Sequence, residues 1–291
     1  STGAYILIKH PETITKNTSD LRNNLIEVLY NQMLSARFSE LSKQADPPFL
    51  YAGSSIGSFM AGLRVASSSV ISKPGELERG FKATLTEVER VKRFGFTDTE
   101  LTRAKLEYLT QQESVYKERE KTESETFVNQ YLAHFLKGQA YPSIAFNYTF
   151  TKKKLSGITL SAVNDIAKKY ISSTNRDILI LGPQQDKDEM PHESLVKSWI
   201  NKVSQSPISA YRDLVSNKPL LEKMPQPGHI TSEKSEQELG TTTLILSNGL
   251  KVTLKPTSFK NDQIGFQAFS PGGTSLYSEE DFESADNAAT I

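Results

Sequence analysis

Apolar residues follow two different periods along the first seventy residues. Residues 4–9 form a short apolar run that predicts a strand. Between Asp20 and Lys43, apolar residues recur at steps of three and four, which predicts one long helix with a buried stripe. Residues 49–58 and 60–70 are rich in serine, glycine and valine and are separated by a short gap, so we expect an antiparallel hairpin.

Residue types that are typical of helix ends also occur in the sequence. Ser19 and Asp20 are residue types that favour the N-cap of the first helix. A second helix over 75–94 is expected to end at Gly95, because glycine is favoured just beyond a helix. Thr97-Asp98-Thr99-Glu100 has the spacing of a capping box, in which the Thr hydroxyl and the Glu carboxylate each bind a free backbone N–H.

The capping box opens a long helix that extends to about residue 137, with a break predicted near 121–125. Two shorter helices follow, and then an apolar core strand; the expected ranges are 142–155, 159–171 and 175–182. Strands, long helices and a returning strand predict an α+β fold, with an antiparallel sheet covered by long helices on one face.

The composition changes after Gly182, which predicts a domain boundary. Residues 184–239 contain several prolines and one helical stretch over 191–204, so we interpret them as a linker. A hairpin with an Asn248-Gly249 turn follows, and Ile264–Phe269 predict a third strand. The predicted organisation is a first domain over 1–183, this linker, and a truncated second domain over 240–291.

The last predicted segment, 284–291, begins like a helix but contains no helix stop signal. This pattern suggests that the chain is a fragment of a longer protein. No apolar run approaches the roughly 18 residues that span a bilayer, so we expect no membrane span.

Composition excludes several kinds of site. Lys plus Arg and Asp plus Glu both number 34, and this balance gives no long-range attraction for nucleic acid or anionic lipid. The chain has no cysteine, which excludes disulfides, cysteine-bound zinc and thiol nucleophiles.

The four histidines do not form a metal-binding pattern. None of them belongs to a His-x-x-Glu-His or His-Glu-x-x-His sequence; they are His10, His134, His192 and His229. His192 and Glu193 copy only the first two letters of a metalloprotease motif, and a surface pair at a helix start is the simpler interpretation. His134 lies beside Phe135 and Leu136, which favours a packed or half-buried histidine. We therefore expect no catalytic residue and no metal ligand in this chain.

Several sequence blocks together resemble the pitrilysin-type (M16) zinc peptidases. The blocks are Asn31–Arg37, Gln44–Phe49, Gly95–Leu101, Leu246–Val252 with its Asn-Gly turn, Leu254–Lys260, and Ser270–Ser275 with its Gly-Gly turn. The resemblance is strongest to the bacterial long-chain branch, and it implies four homologous α+β domains of the LuxS/MPP-like metallohydrolase type around a closed chamber. Residues 1–183 would be the second, C-terminal-type and non-catalytic domain, and residues 240–291 the first strands of the third.

The resemblance also implies where the chemistry would lie. Zinc would be bound by His-x-x-Glu-His in the first domain of the parent protein, and no cofactor is expected in this fragment. Members of the family use an Arg and a Tyr to hold the substrate carbonyl; Tyr51 is the candidate for that Tyr. Ser42-Lys43 stands where the Arg is expected, and Arg37 suits a structural role better than substrate binding. As a structural alternative, Arg37 and Tyr51 would fix the first helix to the sheet.

The leading hypothesis is a non-catalytic internal fragment of a zinc-dependent endopeptidase, inactive alone and forming part of the peptide-enclosing chamber. Its partners would be the other M16-type domains of the same polypeptide and a peptide substrate, and the resemblance suggests a bacterial periplasm or envelope location. One alternative is a scaffold or partner subunit of the same fold without peptidase activity. Another is a free-standing binding module.

Overall fold

The computed structural model describes residues 2–60, 62–214, 218–219 and 221–288, with the backbone alone at 188–189. The chain divides into two compact units, Ser1–His229 and Ile230–Ile291. In the described part of the chain, no helix is both long and apolar enough to cross a bilayer.

Unit 1 is built on a four-stranded sheet in which every neighbouring pair is antiparallel. Its strands are β1 (Gly3–Pro11), β2 (Tyr51–Met60), β3 (Leu63–Ile71) and β4 (Arg176–Leu181), in the order β2-β3-β1-β4. In the register of the sheet, Ile6 of β1 is opposite Ser68 on one side and Ile178 on the other. The strand nearest the start of the chain is therefore central, and β2 and β4 form the edges.

Within the described residues of unit 1, seven α-helices accompany this sheet. They are α1 (Thr18–Ser42), α2 (Leu77–Phe94), α3 (Asp98–Lys117), α4 (Ser124–Lys137), α5 (Ile144–Lys154), α6 (Leu160–Tyr170) and α7 (Glu193–Gln205). The break predicted in the long helix is confirmed, because a 3₁₀ turn at Arg119–Lys121 separates α3 from α4.

The helices cover one face of the sheet, as the alternation of burial along β1 shows. Ala4, Ile6 and Ile8 are buried, whereas the intervening Tyr5 is exposed. The buried face packs against apolar residues of the helices, including Leu29 and Leu34 of α1, Phe81 of α2 and Val163 of α6. This arrangement confirms the predicted α+β fold with helices on one face.

The N-cap of α1 differs from the prediction. Asn17, rather than Ser19 or Asp20, is the N-cap, and its side-chain oxygen accepts hydrogen bonds from the backbone N–H groups of Ser19 and Asp20 at 2.9 and 3.0 Å. The Asp20 carboxylate accepts in return from Asn17 N at 3.2 Å, so Asp20 is the third residue of a capping box. Of the three candidates, Asn17 is the N-cap because it alone has an acidic residue three positions later to complete the capping box.

The predicted capping box at the start of α3 is confirmed. The backbone N–H of Thr97 donates to the Glu100 carboxylate at 2.8 Å, and the Thr97 hydroxyl accepts from the backbone N–H of Glu100 at 3.3 Å.

The predicted core strand is β4, but it lies at a sheet edge with only one face covered. Leu179 and Leu181 are exposed on its open face as a result.

Unit 2 contains a three-stranded antiparallel sheet and a short helix. Its elements are β5 (Ile230–Glu236), β6 (Thr241–Leu246), β7 (Lys251–Leu254) and α8 (Phe282–Asn287), with strand order β5-β6-β7. The predicted Asn-Gly hairpin is confirmed: Gly249 has φ +84°, which favours glycine, and Leu246 N donates to Leu250 O at 2.9 Å.

The strand predicted at Ile264–Phe269 is wrong, since this stretch has no regular structure and its apolar side chains are almost fully exposed. The third strand is instead β5, in a polar stretch that was predicted as linker. Alternating apolar residues form a strand only when a neighbouring strand pairs with them. The strand that pairs with β6 at this position is β5 rather than residues 264–269. The predicted terminal segment 284–291 overlaps α8, and residues 289–291 lie outside the described residues.

Candidate peptide-binding groove

The edge strand β2 borders a groove on the surface of unit 1. One side of β2 pairs with β3, and its other side lies beside α1. An edge strand leaves every second pair of backbone N–H and C=O groups without a strand partner. Those groups can pair with an added extended chain.

The groove has a volume of about 640 Å³, and the described residues that line it are all uncharged. This volume is in the range of ordinary ligand pockets, about 300 to 1,000 Å³. Helix α1 contributes one wall, and β2 and β3 contribute the other. The lining residues are Asn31, Gln32, Ser35, Phe38, Ser39, Ser42, Leu50–Ser55, Ser67 and Ser69.

Small side chains keep this part of the sheet shallow. In the register of β2 and β3, Gly53 is opposite Ser69 and Ser55 is opposite Ser67. The Ser54 hydroxyl donates to the Ser67 carbonyl at 2.8 Å, so its polar group is already satisfied within the sheet. The groove therefore offers backbone groups and small polar side chains rather than a deep specificity pocket.

Tyr51 begins β2 and lies in the wall of the groove, with 59% of its surface exposed. Its ring lies across Gly53, because a Cβ atom at Gly53 would be only 3.3 Å from the Tyr51 hydroxyl. Tyr51 is thus placed where it can contact a ligand in the groove.

Arg37 is buried outside the groove lining, with 1% of its surface exposed. Its Nε and Nη2 bind the two Glu100 carboxylate oxygens at 2.7 and 2.9 Å, Nη1 binds Glu87 at 3.2 Å, and Nη2 donates to Gly95 O at 3.0 Å. The alternative predicted from the sequence, in which Arg37 fixes α1 to the sheet, is therefore wrong, because the carboxylate partners of Arg37 lie on helices. Arg37 joins α1 to α2 and α3, and the structure does not bring it together with Tyr51 in the groove.

The charge of Arg37 is stabilised by these partners. Burial alone would lower the pKa of Arg37, but the hydrogen bonds and negative charges of Glu100 and Glu87 outweigh burial and raise it. Its Cζ atom also lies 4.8 Å from the Phe96 ring centre and 4.2 Å from the Tyr211 ring centre. Arg37 consequently remains a fixed cation within the helix layer.

Tyr211 was missed by the sequence analysis because it falls in the proline-containing stretch interpreted as linker. Its hydroxyl donates to the Glu40 carboxylate at 2.8–2.9 Å. Burial, followed by the hydrogen bond to Glu40, raises the pKa of Tyr211 above its usual value. Nearby, Asp213 accepts a hydrogen bond from Arg103 at 2.8 Å. These contacts attach residues 211–213 to the helix layer of unit 1.

The histidines lie at separate structural positions. His134 is near the end of α4, with Nδ1 2.8 Å from Gln139 O and its ring against Tyr141. It is exposed rather than half-buried, contrary to the prediction, because the neighbouring Phe135 and Leu136 are themselves exposed. His192 occupies the N-cap position of α7, and the adjacent Glu193 pairs with Lys197. Within the described residues, no group of three or more His, Asp or Glu side chains could hold a metal ion.

Comparison with known proteins places this geometry in context. No family model matches the chain. The chain is 28% identical over 293 residues to a zinc protease PQQL-like protein of Arabidopsis thaliana, covering 99% of this chain and 28% of the relative. The chain thus spans little more than a quarter of the length of that curated relative.

Solved structures show the same fold at low identity. The periplasmic protease PqqL from Escherichia coli matches 88% of this chain and 28% of its own, with a TM-score of 0.64 and 15% identity. A predicted insulinase family protease from Yersinia pestis matches 70% of this chain and 44% of its own, with a TM-score of 0.60 and 13% identity. The chain is therefore related to the pitrilysin-type (M16) peptidases and has the fold of their domains.

Proposed function

We propose that this chain is a non-catalytic internal part of a zinc-dependent endopeptidase. In this proposal, residues 1–183 are its second domain and form part of the wall of a peptide-enclosing chamber, and residues 240–291 are the first strands of the next domain. The observation that carries the proposal is the open edge of β2 beside an uncharged groove.

The groove suits an extended peptide because it presents main-chain groups. A peptide that adds to a strand edge gains affinity from backbone hydrogen bonds, which every sequence can make. The small residues Gly53, Ser55, Ser67 and Ser69 add little side-chain selection. Such a surface would hold many different unfolded peptides, as a chamber wall in an endopeptidase requires.

Within the residues that the structure describes, no cluster of side chains fits a zinc site. The Nδ1 atom of His134 lies at hydrogen-bond distance from Gln139 O, and His192 occupies the N-cap position of α7. The sequence contains no His-x-x-Glu-His. Zinc, and the attack on the peptide bond, would therefore belong to another domain of the parent. The role proposed for this chain is to bind and position peptide.

A peptide-binding experiment on the 291-residue chain tests the proposal. An acetylated and amidated peptide of alternating threonine and alanine should shift the backbone amide NMR signals of Ala52, Ser54 and Ser69. The same peptide with alternate nitrogens methylated is the control and should bind more weakly, because it loses backbone donors.

A substitution in β2 makes the test specific. Ser54→Pro removes an N–H at the free edge, a position where proline is tolerated in edge strands. The variant should keep its fold and lose several-fold in peptide affinity. Unchanged affinity in Ser54→Pro, or signals that move only outside β2 and α1, would contradict the groove.

The scaffold alternative and the peptidase proposal differ in the domain that they predict before this chain in the parent protein. If the coding sequence that precedes Ser1 encodes a homologous domain with His-x-x-Glu-His, the peptidase proposal gains support. If that domain lacks the motif, the chain belongs to an assembly or partner subunit with the same fold.

A further inference from the structure

The Asn31 side chain binds both backbone groups of one residue in β2. Its Nδ2 donates to Ile56 O at 2.9 Å, and its Oδ1 accepts from Ile56 N at 2.9 Å. This two-bond ring is the pattern by which facing residues of antiparallel strands pair. The Asn31 amide therefore occupies the β2 edge as one residue of an added strand would.

These bonds also establish which backbone groups of β2 face the edge. Because Ile56 directs its N–H and C=O toward α1, the residues two and four positions earlier, Ser54 and Ala52, direct theirs to the same side. In the part of the chain that the structure describes, no side chain hydrogen-bonds to the backbone of Ala52 or Ser54. The lining of the groove follows the same division, since it includes Leu50–Ser55 and Asn31 but not Ile56.

We propose that Asn31 is a register stop, which confines strand addition at this edge to the segment before Ile56. This inference rests on the proposed peptide-binding function and adds a limit to it. An added peptide pairs with Ala52 and Ser54 and meets the Asn31 amide where its next hydrogen-bonded residue would lie. The groove therefore binds a short extended segment in a fixed register rather than a strand that slides along β2.

The test measures affinity against peptide length. Acetylated and amidated threonine-alanine peptides of about three to nine residues would be titrated against the 291-residue chain. Each additional backbone hydrogen bond should raise affinity about fivefold until the peptide reaches Asn31, after which affinity should become constant. In Asn31→Ala, the increase should continue for about two more residues, because the backbone of Ile56 becomes available.

Two control variants separate a register stop from a merely structural role. Asn31→Asp keeps the acceptor for Ile56 N but loses the donor to Ile56 O and sets two acceptor oxygens together, so it should weaken the stop and give a length limit between those of the wild type and Asn31→Ala. Asn23→Ala makes the same change at an exposed position of α1 outside the groove and should leave the limit unchanged. In the peptide-free chain, amide exchange of Ile56 should be faster in Asn31→Ala than in the wild type.

The outcomes distinguish the two proposals. If the wild-type chain binds these peptides at Ala52 and Ser54 but Asn31→Ala keeps the same length limit, the register stop is overturned and the groove remains. If the wild-type chain shows no binding at this edge, the proposed function fails and the register stop fails with it.

Discussion

Replacing Arg37 by methionine would test the ion-pair network that joins α1 to α2 and α3. Methionine approximates the length of the arginine stem but carries no charge, so the main loss is the guanidinium. The change leaves Glu87 and Glu100 in the helix layer, where 4% and 6% of their surfaces are exposed. It also leaves the Gly95 carbonyl without the hydrogen bond that it accepts from Arg37.

The expected loss in the free energy of unfolding is about 3–5 kcal/mol, which is the usual cost of removing one partner of a buried ion pair. The lower half of this range is expected, because both carboxylates keep one other contact. Glu87 still binds Arg90 at 2.8 Å, and Glu100 still caps α3 through Thr97. A loss of this size is a large part of the roughly 5–15 kcal/mol that stabilises a typical domain.

Urea unfolding followed by tryptophan fluorescence would measure this loss. Trp199 is the single tryptophan of the chain, and it is buried in α7 against Phe81, so its signal reports on unit 1. Lys168→Ala is the matched control: it breaks an exposed ion pair with Asp165 and should change stability by less than about 1 kcal/mol.

The reasoning is refuted if Arg37→Met costs no more than that exposed control. A second comparison tests its cause. The double variant Arg37→Met/Glu100→Gln removes the unpaired charge at Glu100 and should be more stable than the sum of the two single changes predicts. Simple additivity would mean that the loss arises from packing rather than from an unpaired buried carboxylate.

Three further predictions concern acid stability, backbone conformation and capping. Hydrogen bonds from two neighbouring cations lower the pKa of Asp46 to about 2, so its contribution to stability is present above the unfolded pKa of about 4 and is lost as the pH falls toward 2. Asp46→Asn should therefore flatten the dependence of unfolding free energy on pH between about pH 4 and pH 2, and an unchanged pH profile would contradict this. Gly95→Ala should cost about 2–4 kcal/mol in urea unfolding, because Gly95 has φ +72° and a Cβ atom there would lie 2.4 Å from a side chain of α6, whereas Gly138→Ala, with positive φ but open space, should cost only about 1–2 kcal/mol. Asn17→Ala should cost about 1 kcal/mol and Ser19→Ala close to none in the same assay; the reverse order would restore Ser19 as the N-cap.

Local patterns in the sequence were sufficient to predict much of the fold. The period of α1, the capping box at Thr97 and the Asn-Gly hairpin all depend on neighbours within a few residues, and the structure confirms each of them. The strand predicted at Ile264–Phe269 failed because strand formation needs a partner, and partner choice is not a local property. The polar β5 was missed for the same reason.

The groove required information that the sequence does not carry. Asn31 is one polar residue in an amphipathic helix, and its relation to Ile56 depends on how α1 lies against the β2 edge. Tyr51 could be named in advance only from the family resemblance. The contact of Tyr211 with Glu40 depends on the path of a proline-containing segment, which no periodic pattern predicts.

The position of β1 at the centre of the sheet has a consequence for synthesis on the ribosome. β1 can pair with β3 soon after Ile71 is made, but its other edge must wait for β4, which begins at Arg176. At about 5–20 residues per second, this interval lasts roughly 5 to 20 seconds. During it, the apolar residues Ile6 and Ile8 lie on a strand with one open edge, a state that favours pairing with other chains. The nascent chain should therefore depend on chaperones most strongly between these two points of synthesis.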